Sequence, residues 1–347
     1  MSSSAPAQLP IPAGGGLLRG LERFARAPLA RLIGRRLAAA IAVLWGVTLL
    51  TFVVMNSLPG DAAQELLGAN ATPAEVHQLE TKLGLQRPFL NRYGDWLHGV
   101  VTGHFGHSLS SGQSVGGILG QRLPVTFELI AYAFVISLAF SVPLALLAAR
   151  SPNGIADRLS MLLSMAGLSI ANYVLALVLV YVFAVKLAVL PAIGWVPPGQ
   201  SVLQNIRSLT LPAVSIGLPL LCFYTRLLRA DLLEQMRSQD YVLLARAKGV
   251  GPWRVLVRHA LRNSLFGLIT VVALNLGALL GATVIIEEIF ALPGMGQQLL
   301  QAINNRDIPV VEGTVLVFAG IVVLANLVAD ILYAMLDPRV RYGSAAN

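Results

Sequence analysis

The stretch DYVLLARAKGVGPWRVLVRHALRNSL, Asp240 to Leu265, decides how this chain is read. It carries Arg246, Lys248, Arg254, Arg258 and Arg262, with His259 among them, and it lies between two long apolar runs. Two short helical pieces are expected, Tyr241 to Lys248 and Trp253 to Arg262, separated by Gly249, Gly251 and Pro252. Gly249 stands where a left-handed residue ends a helix, and Pro252 suits the first turn of the next. Two helices around a glycine turn on a basic background also fit a DNA-reading helix-turn-helix. The apolar flanks argue against that reading. They place a rigid, positively charged hairpin on a membrane surface, where it suits a soluble protein partner, and no nucleic acid is expected.

Outward from the hairpin, the composition is that of an integral membrane protein. Of 347 residues 56% are hydrophobic and only 12% charged, and the apolar residues fall in blocks longer than the roughly 17 needed to cross a bilayer as helix. The expected fold is all-α and polytopic, with six transmembrane helices. The single Cys222 lies inside an apolar block, which leaves no disulfide framework and no cysteine metal site. The net charge of +8 is read as the cytoplasmic cations that set orientation.

Residues 1–36 read as a cytoplasmic tail, disordered to Gly16, followed by a basic interfacial helix interrupted by Pro28. Residues 37–58 form the first span; the run is too long for a signal peptide core and no cleavage site follows it. Residues 59–124 read as an extracytoplasmic subdomain with helical patterns at Ala74–Leu83 and Pro88–Val101. Residues 125–336 form the permeation core, with spans at Leu129–Ala149, Leu159–Val185, Leu209–Thr225, Asn263–Ile286 and Gly313–Leu336. The cytoplasmic loop 238–263 lies within that core, and residues 337–347 form a cytoplasmic tail.

The third span has 27 uncharged residues. At about 40 Å of helix against a hydrocarbon core of roughly 30 Å, it has to tilt or break near Gly167 to Asn172. Ser160, Ser164, Gly167 and Ala171 form a small-residue stripe for close helix packing, and Gly277 and Gly281 repeat that signal in the fifth span. Lys186 marks the exit of the third span. Pro212, Gly217 and Pro219 lie in the fourth, whose helix is expected to run on through Arg226–Arg237. With the N-terminus inside, cytoplasmic segments carry 18 Lys and Arg against 6 outside, Lys186 lying at a boundary. Both termini are therefore expected in the cytoplasm.

The hairpin resembles the cytoplasmic coupling loop, the EAA loop, of ABC-transporter permeases of the dipeptide, oligopeptide and nickel importer family. Its carriers are ARAKG at Ala245 to Gly249 and RHALRN at Arg258 to Asn263. LPGD (Leu58–Asp61), LGLQRPF (Leu83–Phe89), RYGDWL (Arg92–Leu97) and RLPVTFEL (Arg122–Leu129) are similar to peptide-permease sequence as well. Two positions depart from the pattern: Leu243 stands where the family has a Glu, and Gly103, His104, Phe105 and Gly106 replace a Gly-Asp-Leu-Gly. The resemblance implies a type I ABC importer permease in the inner membrane, one half of a pore that imports peptides. Its implied partners are a second homologous permease, two ATPase subunits, an extracytoplasmic binding protein and the lipid bilayer. It assigns ATPase coupling to Ala245, Arg246, Ala247, Lys248, Gly249, Pro252, Arg258 and His259.

The residues themselves hold no P-loop, HExxH or GxSxG, so neither an enzyme nor a bound cofactor is expected. His98, His104 and His107 invite a metal-site reading, with a wet surface as the plainer account. Asn172, Asn275 and Thr283 are candidates for the pathway, or for hydrogen bonds between helices. Glu287, opening EEIFALPGMG, is a candidate for the outer mouth, or a solvated helix end. Asp330 is expected to pair with an Arg of the coupling segment. Two alternatives are a permease for nickel or another small solute, and a gradient-driven secondary transporter. The latter needs ion-coupling groups at mid-membrane, for which only Asp330 and Lys186 come near.

Overall fold

Lipid offers a backbone amide nothing to bond with, so a chain this apolar satisfies its own backbone as helix. The computed structural model describes residues 16–57, 71–82 and 87–336, and the side chains within 34–331 except 56, 79, 80 and 82. Among these residues the chain is helical, with no strand. Both expected terminal tails, apart from the stretch after residue 15, and the LPGD and LGLQ motifs lie outside the described residues.

The first helix, α1 (Gly16–Ser57), runs unbroken through Pro28. The basic segment expected to lie on the membrane surface therefore continues into the first span, Gly34–Met55. Two short helices follow, α2 (Pro73–Lys82) and α3 (Phe89–Val101). Thr72 and Glu75 start α2 as a capping box: Thr72 N–H donates to Glu75 Oε2 at 2.9 Å and Glu75 N–H donates to Thr72 Oγ1 at 3.4 Å. The Thr72 amide, then its hydroxyl, hold the Glu75 carboxyl below its usual range. The helix α3 docks on α1 through Phe52, whose ring stands edge-on to Phe89 and Tyr93, and through a 3.0 Å bond between Thr48 Oγ1 and Tyr93 OH.

The next helix is α4 (Val115–Arg150). It begins well before Leu129, inside the stretch read as extracytoplasmic to residue 124, and carries Pro124 and Pro143 internally. Ser114 starts it, its Oγ accepting from Gly117 N–H at 3.2 Å. The third span is broken rather than tilted: α5 (Ile155–Ser169) and α6 (Asn172–Lys186) meet at 100°, with the break inside the expected window. Among the described residues five single helices are long and apolar enough to cross a membrane, and the bent pair makes a sixth crossing if counted as one span.

The fourth span, α7 (Val202–Ser238), passes through Pro212 and Pro219 and extends past the membrane as expected. After α8 (Asp240–Ala247), the second hairpin helix and the fifth span are one helix, α9 (Pro252–Ile289), not two. A π-turn at Leu256–Ala260 lies near its start. Two helices complete the chain, α10 (Met295–Asn304) and α11 (Ile308–Leu336).

The most extensive helix pair is α4 with α7, and α9 flanks both. Leu129, Leu209, Ile216 and Ile286 are buried together between them. The small-residue stripe does the packing expected of it, since Ser160, Ser164 and Gly167 are buried while Ala171 stays exposed at the bend. A methyl group on Gly167 would collide with the Cys222 side chain of α7. Of the glycine pair in α9, Gly277 approaches Val322 of α11 and Gly281 meets nothing. Ile41, Trp45 and Leu50 of α1 and Leu162 and Leu163 of α5 remain exposed, as surfaces covered by lipid or by another membrane chain.

Gly167→Ala is expected to lower stability by about 1–3 kcal/mol through overpacking. Adding Cys222→Ala should recover most of that loss, because the colliding atom is the sulfur. Thermal unfolding of the two single variants and the double variant in detergent measures the coupling.

Candidate functional site

The basic hairpin is built as a helix, a left-handed stop and a restart. Gly249 has φ +78°. Its N–H donates to Arg246 O at 2.9 Å and Val250 N–H donates to Ala245 O at 3.1 Å, which together close the carbonyl end of α8 in a Schellman turn. Pro252 then occupies the first turn of α9 behind Gly251. Val242, Ala245 and Val255 are buried between the two arms, so the turn holds its shape from inside. Outward stand Leu243, Leu244 and Trp253, exposed by 54%, 58% and 46%, among the exposed Arg246, Ala247, Lys248, Pro252, Arg254 and Arg258. His259 is half-buried.

One contact ties this hairpin to the rest of the same face, and a second joins the helices beside it. The guanidinium of Arg150, at the end of α4, lies 5.6 Å from the centre of the Trp253 ring. Behind it, buried Asp157 in the first turn of α5 accepts a two-pronged bond from Arg229 of α7, with Nη2 to Oδ2 at 2.7 Å. Asn153 N–H also donates to Asp157 Oδ2 at 2.8 Å. Nothing in the sequence pairs these residues, since Asp157 and Arg229 are far apart along the chain.

At the opposite end, Glu287 is fully buried, not solvated. Its carboxylate accepts from Thr126 Oγ1 at 2.7 Å, from Gly296 N–H at 2.7 Å and from Gln297 N–H at 3.1 Å. Thr126 Oγ1 in turn accepts from Met295 N–H at 2.8 Å. Glu287 thus caps the N-terminus of α10, where orphan amides and the helix dipole favour an anion. A few residues on, Asp307 is buried and accepts from Ser108 Oγ at 2.5 Å, Leu109 N–H at 3.0 Å and Ser110 Oγ at 2.8 Å. These bonds fasten the segment before α4 to the N-terminal end of α11. The two carboxylates are the principal anchors that sequence reasoning missed.

The pathway candidates scatter. Asn172 sits half-buried at the bend between α5 and α6. Asn275 Nδ2 donates to Tyr224 OH at 3.3 Å, which is the helix-to-helix bond of the plainer account. Thr283 is buried and its hydroxyl donates back to Leu280 O at 2.9 Å. Asp330 pairs with Arg36 of α1 at 3.0 Å, not with an Arg of the coupling segment. Among the described residues no group of His, Cys, Asp and Glu is placed to hold a metal ion.

Long apolar helices with an apolar and basic hairpin protruding from one face are the architecture of a membrane permease driven by a soluble partner. Residues 141–342 match the binding-protein-dependent transport system inner membrane component, and residues 29–130 match the N-terminal region of such membrane components. The chain belongs to this family. A Brucella abortus protein described as a peptide transport system permease is 40% identical over 311 residues, covering 90% of this chain and 99% of that protein. The dipeptide transport system permease of Bacillus subtilis is 35% identical, with 90% of this chain and 98% of that one covered. The oligopeptide transport system permease of the same organism is also 35% identical, with 90% and 100% covered. Permeases of this family are the membrane part of importers that also contain ATPase and binding-protein components.

Glu287→Ala removes the acceptor for three buried donors, and the loss is expected to reach about 3 kcal/mol or more. Thr126→Val should show a smaller loss of the same kind. Cleavage of α10 by added protease, read alongside thermal unfolding, checks both; an unchanged protein would return Glu287 to a role at the mouth.

Proposed function

We propose that the chain is the permease subunit of an ATP-driven importer of peptides, working with a second permease, two ATPase subunits and an extracytoplasmic binding protein. The observation that carries the coupling half of this reading is the continuity of the hairpin with α9. A docking surface of Leu243, Leu244, Trp253 and the surrounding cations sits on a turn fixed by Gly249, and its second arm is itself a transmembrane helix. Displacement of the hairpin by a partner moves α9 as a unit. Arg246, Ala247, Lys248, Gly249, Pro252 and Arg258 form the outward face of the coupling loop, while Ala245 and His259 shape it from beneath. Leu243, standing in the place of the family's Glu, makes that contact apolar.

The relatives are named for peptides, dipeptides and oligopeptides, which favours peptides over nickel. A gradient-driven mechanism has less to work with, because Asp330 is committed to Arg36. ATP hydrolysis is assigned to the partner subunits. The excess of Lys and Arg in one set of segments supports a cytoplasmic hairpin and cytoplasmic termini, and on this reading α2, α3 and α10 lie outside, where the binding protein docks.

Cysteine labelling in a Cys222→Ala background is expected to reach Ser111→Cys and Gln200→Cys from outside intact cells, but not Ser344→Cys. In the reconstituted complex, loaded binding protein should stimulate ATP hydrolysis. Gly249→Val, which keeps every charge but opposes φ > 0 by roughly 1–2 kcal/mol, should insert normally and lose most of that stimulation. Full stimulation by Gly249→Val would overturn the docking role of the turn.

A further inference from the structure

On the outer side, the Ser108–Gln113 loop, the first turns of α4 and the exposed side of α10 enclose a polar pocket of about 230 Å³. Arg122 lines it together with the side-chain amides of Gln113, Gln121, Gln298 and Gln301. Asp307 closes one end, but its oxygens already accept from Ser108, Leu109 and Ser110. Arg122 is half-buried, and among the described residues it makes no hydrogen bond or ion pair. Glu287 feels its charge through space, yet spends its own oxygens on Thr126, Gly296 and Gln297. The pocket therefore presents a guanidinium fork with no acceptor, in a ring of amides that also lack partners within the described residues.

A guanidinium matches a carboxylate through two parallel N–H bonds. A glutamine amide offers one acceptor and two donors, which suits the C=O and N–H that every peptide unit carries whatever its side chains. The volume is below the roughly 300–1,000 Å³ of sites that enclose a drug-sized ligand, so it takes the end of a chain rather than a whole peptide or the face of a folded protein. We propose that this pocket is a subsite for the C-terminal carboxylate of the incoming peptide, Arg122 taking the carboxylate and the glutamines the last peptide unit. This rests on the reading of the chain as a peptide importer. The subsite receives the free end as the binding protein releases it, and so selects for a chain end independently of sequence.

The test compares a peptide with its C-terminal amide in the reconstituted full complex, each loaded on the binding protein beforehand so that the binding protein's own affinity does not enter. Wild type should transport the free acid about tenfold faster, the worth of one charged hydrogen-bond pair. Arg122→Gln should slow the acid to the rate of the amide and leave the amide unchanged. Arg122→Lys, which keeps a charge but loses the fork, should fall between, and it decides the matter if Arg122→Gln does not assemble. Equal rates for acid and amide in wild type would overturn the subsite, as would a variant that slows both alike. A weaker affinity of Arg122→Gln for the binding protein would mean that the carboxylate belongs to that protein's surface, and would also overturn it. Failure of wild type to move any peptide while it moves another solute would instead overturn the peptide reading itself.

Discussion

A carboxylate without water needs donors, and three such carboxylates fix the ends of this helix bundle. Asp157 gathers Arg229 and the Asn153 amide on the face that carries the hairpin. Glu287 and Asp307 gather donors from α4, α10 and the loop before α4 on the other face. Each draws at least one partner from a segment remote in sequence, so each fixes the meeting of elements that apolar contact alone would leave free to slide. Leu and Val packed against Leu and Val define a distance; a carboxylate with three aligned donors defines a position. That is why the apolar middle of the bundle tolerates two prolines in α4 and two in α7. Its register is held at the ends.

The spans themselves were legible, because block length and the absence of charge report directly on the solvent a segment will meet. So was the hairpin, where Gly249 and Pro252 state their backbone geometry almost unaided. The break in the third span was legible as an excess of length, although not its angle. The start of α4 was hidden, since Gly116, Gly117, Gly120 and Pro124 are poor helix formers. There a tertiary contact overrides propensity: Val115 is fully buried and lies close against Gly313 of α11. The burial of Glu287 was hidden for a related reason. Its sequence neighbours describe a helix end, but the amides that complete it return only after the Pro293–Gly294 turn, and Thr126 arrives from another helix. Asp330 was assigned to the wrong cation because several arginines satisfy the same charge, and proximity to α1 decided among them.

The helix α9 joins the two faces. Its 38 residues span about 57 Å at 1.5 Å per residue, with Trp253 near one end and Glu287 near the other. The cap on α10 and the basic hairpin are thus fixed to a single rod. Only the π-turn at Leu256–Ala260 interrupts its regular bonding, close to the hairpin, and there Leu256 and Ala260 are buried against Leu228 and Leu232 of α7. Movement of the hairpin has few internal joints in which to be absorbed before it reaches α10.

The bent pair has a consequence for how the chain enters the membrane as it is made. The helix α5 has 15 residues and extends about 22 Å, short of the roughly 30 Å of hydrocarbon. It cannot be threaded across and left there as a finished span. It packs on α4, already made, and more extensively on α7, which supplies Cys222 and Arg229 and is synthesised later. At about 5–20 residues per second, the ribosome leaves this segment without α7 for some seconds. During that interval Asp157 lacks the Arg229 guanidinium, and Gly167 lacks the Cys222 side chain it packs against. The bent pair is therefore completed out of order, by a helix that has yet to emerge when its own residues reach the bilayer.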